Sequence, residues 1–126
     1  VQVAACEKLA GSPAVLELLR TTEDEWVLRA AAQAAGTGQR FACSQILSQR
    51  LREKERWQVV FLALAETLMT EVHGSSSTGD PEQSQLDILV GNWERFLLLH
   101  QQEIEQGKKF PRIPEDLIPP NFQLHW

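Results

Sequence analysis

Val27-Leu28-Arg29-Ala30-Ala31-Ala32-Gln33-Ala34-Ala35-Gly36 is the stretch on which the fold turns. Alanine loses no side-chain freedom on entering a helix, and Leu, Arg and Gln lose little, so the run is strongly helix-forming. Gly36 is a usual helix terminator. Just upstream, Thr22 with Glu25 fits a capping box, in which each side chain satisfies a free amide on the other residue. The pattern predicts a helix from about Glu23 to Ala35, carrying Trp26 in its first turn.

Towards the N-terminus, Ser12-Pro13 is a helix start, because Ser can cap and Pro is tolerated at the first helical position. Leu16, Leu18 and Leu19 supply the apolar side of a helix over 13–20, and residues 1–10 read as a shorter helix ended by Gly11. The chain opens at Val1 inside a helix-like pattern, which fits a trimmed N-terminus or a piece of a longer protein. Towards the C-terminus, Phe41, Ile46, Leu47 and Leu51 mark a helix over 40–52. Trp57, Val60, Phe61, Leu64, Leu68 and Met69 mark another over 54–72. Residues 73–84 are Ser- and Gly-rich and read as a flexible loop without strand pairing. Ser84 and Asp87 suggest the start of a helix over 85–107, on which Leu86, Leu89, Val90, Trp93, Phe96, Leu97, His100 and Ile104 recur at spacings of three and four. Gly107 ends it. The last segment, 108–126, contains Pro111, Pro114, Pro119 and Pro120 and so must be extended. Its many large apolar residues predict that it lies against an apolar surface, its own helices being the favoured one.

The pattern at 27–36 recurs. Ala4, Ala5, Glu7 and Leu9 stand 26 positions before Ala30, Ala31, Gln33 and Ala35, and Ala63, Ala65, Glu66 and Leu68 fill corresponding places about 33 positions later. The preceding helix recurs too, at an offset near 31, as Val15 to Arg20 and then Ile46 to Leu51. An apolar helix, a short acidic turn at Glu23-Asp24-Glu25 and the Val27–Gly36 run together resemble the HEAT repeat, in the short form found in phycobilisome lyases. The resemblance covers residues 1–72. Leu28 stands where that family has Arg, and Val60, Phe61 and Leu62 are bulkier than its third copy would have. The resemblance implies an all-α stack of HEAT-like helical hairpins over 1–72, an α-solenoid fragment, with an extra C-terminal helix and an extended Pro-rich tail. A lone hairpin cannot bury its apolar face, and stacking makes a continuous core.

Composition narrows the function. The net charge is −5, divided as −1 over residues 1–73 and −4 over 74–126, so no cationic face is offered to nucleic acid. Arg50, Arg52, Lys54 and Arg56 cluster, but Glu53 and Glu55 interrupt them, and the group reads as a solvated hairpin corner. Cys6 and Cys43 lie in helical contexts without metal-ligand spacing and read as buried thiols in a reducing, cytoplasmic compartment. No apolar run is long enough to span a membrane. His73, His100 and His125 form no i, i+4 pair, so neither a metal nor a catalytic site is expected, and no cofactor or small-molecule ligand with it. His100 reads as a core or interface histidine with a hydrogen-bond partner.

What remains is binding. Trp26 and Trp57 begin two successive second helices and, if exposed together, would form an aromatic ridge. Phe110, Ile113, Phe122 and Trp126 are the bulky residues of the tail. These six are the candidate partner-binding residues, and the expected role is a protein-binding scaffold or assembly factor whose partner is another protein. The family resemblance implies two alternatives: a chaperone-like bilin lyase or pigment-handling protein acting on phycobiliproteins, and a structural segment of a larger solenoid.

Overall fold

A helix ends where its last carbonyls find donors and begins where its first amides find acceptors. Those points can be followed along the chain in a computed structural model, which describes residues 13–36, 38–70, 76–77, 81–119 and 124–125. The expected helix at 1–10 lies outside them. Helix α1 is Pro13–Thr21, α2 is Glu25–Ala35, α3 is Arg40–Arg50, α4 is Trp57–Leu68, α5 is Gln83–Leu99 and α6 is Gln101–Glu105. A 3-10 turn, Glu115–Leu117, follows.

The cap of α2 is Asp24, not Thr22. Asp24 Oδ1 accepts the amides of Trp26 at 2.9 Å and Val27 at 3.2 Å, while Thr22 Oγ1 accepts the Asp24 amide at 3.2 Å and fixes the approach. The start of α5 likewise falls before Ser84: Gln85 Oε1 accepts the Glu82 amide at 3.0 Å. The C-terminal helix is not continuous over 85–106, because His100, at φ −113° and ψ 18°, breaks it into α5 and α6. Gly107 closes α6 at φ 88°, with its amide on Ile104 O at 3.1 Å and the Lys108 amide on Glu103 O at 3.0 Å. This is a Schellman ending, which a residue with a Cβ would strain.

Helix α1 packs on α2 and α3 on α4; α1 also lies beside α3, and α2 beside α4. Helix α5 continues the α1, α3 row. The α2, α4 row is continued by no further long helix among the described residues. There the tail arrives instead. The Phe110 amide donates to Leu68 O and the Thr70 amide to Phe110 O, both at 2.8 Å, and the 3-10 turn then packs on α5. The all-helical class expected from sequence is what is observed. One minimal strand ladder departs from the expectation of none: Ser76–Ser77 pairs antiparallel with Leu124–His125, inside the segment expected to be a free loop.

The core repeats as the sequence does. Helix α2 buries Val27, Leu28, Ala31, Ala32, Ala34 and Ala35; 33 positions on, α4 buries Val60, Phe61, Leu64, Ala65, Thr67 and Leu68. Towards α5 the filling changes from alanine to rings. Trp93 stands edge-on to Phe61 at 5.8 Å and to Phe96 at 5.7 Å, and Phe96 meets Phe110 of the tail at 5.1 Å.

Candidate protein-binding surface

The outward stripe of α2 begins with Trp26, which is 76% exposed, and continues through Arg29 and Gln33 at helical spacing. Arg29 reaches across to α4, where its Nη2 meets Glu66 Oε1 at 2.8 Å. Lys109, just before the tail's first backbone bond to α4, places its Nζ 3.5 Å from Glu66 O. Between the two helices lies a groove of about 310 Å3, lined by Arg29, Gln33, Gly36, Ala63, Glu66 and Lys109 among others. Its lining includes three small residues, Ala32, Gly36 and Ala63. A half-exposed ion pair contributes little to stability, so Arg29 and Glu66 act mainly as polarity on the groove wall. Trp26 does not line the groove but stands one helical turn before Arg29, which does, and Trp and Arg carry disproportionate energy at protein interfaces.

Trp57 does not join Trp26. It is 3% exposed and belongs to the core. The burial register explains why: at the 33-residue offset, Trp57 falls at the place of Asp24, and the place of Trp26 is taken by half-buried Val59. Phe110 and Ile113 are half-buried against the core, Phe110 with its ring 5.0 Å from His100. The tail thus docks on its own chain over 110–119, where Leu117 is buried and Asn92 Nδ2 donates to its carbonyl at 3.0 Å. Phe122 and Trp126 lie outside the described residues.

His100 is clamped between Phe96 and Phe110, and its Nδ1 lies 2.9 Å from Glu103 Oε1. Glu103 also takes Lys108 Nζ at 2.6 Å. The hydrogen bonds from Lys108 and His100 hold its carboxyl below the usual range. The trio fastens the base of the tail. Burial pushes the Cys43 thiol up to about 12, against a smaller opposing effect of Thr67, so it is a packed thiol and not a thiolate nucleophile. Among the described residues no group of three or more His, Cys, Asp or Glu is placed to hold a metal ion, and no helix is long and apolar enough to cross a membrane.

The basic corner is corrected. Arg50 is 7% exposed, donates Nη1 to Leu19 O at 2.9 Å, and forms a two-pronged pair with Glu53 at 2.7 and 3.0 Å. Arg56 joins Glu53 at 3.2 Å and donates Nε to Glu23 O at 3.2 Å. At the other end of α3, Arg40 donates Nη2 to Thr67 O at 2.8 Å and Nη1 to Ile104 O at 3.4 Å; desolvation lowers its pKa. These three arginines bond helix-end and turn carbonyls, while Arg52 and Lys54 are exposed, as a solvated corner has them. The sequence signal was available: Arg50 sits three after Leu47 and four after Ile46, on the apolar stripe, with Glu53 one turn on.

No protein-family model matches the chain, and neither a curated protein nor a solved structure matches it significantly.

Proposed function

We propose that the chain is a protein-binding scaffold or assembly factor of HEAT-like construction, and that the α2–α4 face is its holding surface. Helices pair in succession, and like helices lie beside like, α1 by α3 and α2 by α4, which is the neighbour pattern of stacked hairpins. The observation that carries the reading is Trp26, a large ring left in solvent beside a groove while Trp57 is packed away. An exposed Trp one turn from an Arg on one helix face joins two of the residue types most enriched at protein-interface hot spots.

The test is site-specific photocrosslinking in the source cells. A photoreactive aromatic residue at position 26 is expected to crosslink one defined protein, and the same residue at Glu17, on the exposed side of α1, is not. Crosslinking at neither position, or equally at both, defeats the proposal.

A further inference from the structure

We propose that the outward face of α5, centred on Gly91, docks a lysine- or arginine-rich amphipathic helix of a partner protein. The inference rests on the reading of the chain as a protein-binding scaffold and assigns that scaffold a second surface. Gly91 lies in the middle of a 17-residue helix, where glycine weakens the helix relative to alanine. A Cβ there would meet no atom of the described residues within 4 Å. Among the described residues, nothing fills the space over Gly91. Around it, at helical spacing, stand Asp87, Ile88, Glu94, Arg95 and Leu98, all exposed, with Leu98 66% and the neighbouring Leu99 80% accessible.

The charges of this face select the occupant. Glu94 has no ion-pair partner among the described residues, and Asp87 receives only the Gln83 side-chain amide, at 3.4 Å. Against them stands one guanidinium, Arg95, which donates to the neutral Asn92 Oδ1 at 2.6 Å and keeps its charge, so carboxylates outnumber cations two to one among these residues. Two carboxylates therefore flank an apolar strip with a gap for close approach, on a chain of net charge −5. A second copy would bring four carboxylates against only two guanidinium groups to the same strip, whereas a basic helix would pair the carboxylates. Beside the strip, between α3 and α5, runs a groove of about 260 Å3 whose wall includes Gln45, Gln49, Glu94 and Leu98, so a helix laid over Gly91 would also find neutral hydrogen-bonding groups.

The probes are a helical peptide of Ala, Leu and Lys with one apolar face, and the same peptide with Glu for every Lys. Each is titrated into the full chain by fluorescence anisotropy. The Lys peptide is expected to bind and the Glu peptide not. Gly91→Leu, which fills the gap, and Glu94→Lys, which reverses a charge, should each weaken binding at least about tenfold, the scale on which residues at the centre of an interface act. Circular dichroism checks that both variants fold, and Glu94→Lys alone decides if Gly91→Leu does not. Failure of the Lys peptide to bind, equal binding of both peptides, or binding insensitive to the folded variants overturns the proposal. Binding lost in Trp26→Ala but kept in Gly91→Leu would overturn the α5 surface and leave the scaffold reading standing.

Discussion

The hairpin region, α1 to α4, and the C-terminal region, α5 to Pro119, share α3 as a wall but are filled differently. Between α1 and α2 the fully buried residues are Val15, Leu19, Leu28, Ala31 and Ala35, all aliphatic. Around α5 the interior is Phe61, Trp93, Phe96 and Phe110, an edge-to-face chain of rings that ends on the tail. Where α1 lies against α2, aliphatic residues are enough. Where the partner is an extended, proline-bearing segment, bulk must come from side chains, because an extended strand of chain offers fewer of them per unit length.

That contrast can be broken by experiment. Trp93→Ala should cost about 4 kcal/mol, the usual loss for a fully buried indole, and hydrogen exchange should rise in α5 and the tail before it rises in α1 and α2. Equal loss of protection in both regions would mean that they are one cooperative unit. Deleting residues 110–126 removes buried Leu117 and three half-buried apolar neighbours and should lower stability by about 3 kcal/mol. An unchanged melting temperature would show the tail to be a passive linker. In the hairpin region enlargement should hurt instead: Ala31→Leu overpacks a site with no exposed surface, at about 2 kcal/mol, whereas Leu98→Ala on the outside of α5 should stay within about 0.5 kcal/mol.

Smaller effects sharpen the picture. The Glu53 carboxyl is held below its usual range, chiefly by the Arg50 hydrogen bond and then by Arg50 and Arg56 charge, against desolvation. Its contribution is therefore fully present above the unfolded value near 4.3 and is lost as pH falls through the lower folded value. The advantage of the wild type over Glu53→Gln in urea denaturation, about 1 kcal/mol at neutral pH, should vanish in that acid window. A difference that persists there would assign the effect to packing. Last, Gly91→Ala should raise stability by about 0.5–1 kcal/mol, since only helix propensity changes.

The helices were legible because their signals are local. Alanine runs, the Gly36 and Gly107 endings and the three-and-four spacing of the α5 stripe each act within a turn or two. The α2 cap was misread by two residues because Thr22 and Asp24 can both cap, and what decides is which oxygen reaches the amides of Trp26 and Val27. The pairing of Trp26 with Trp57 failed on a register slip: position in the helix suggested equivalence, but the 33-residue burial offset separates them. Arg50 was read as solvated because its partners are Leu19 O, 31 residues earlier, and a glutamate whose direction only the turn after α3 sets. As for the surface, the exposure of Trp26 follows from the same register and was open to inference; the groove beside it depends on how closely α2 and α4 approach, which no spacing in the chain states.

The arginines at the two ends of α3 have a further consequence. Between them they bond the terminal carbonyls of α1, α4 and α6. Apolar attraction is non-directional in itself, whereas a guanidinium on a carbonyl is directional. Arg40 and Arg50 therefore act as two rivets on one bar, tying α3 to the ends of three other helices by directional bonds.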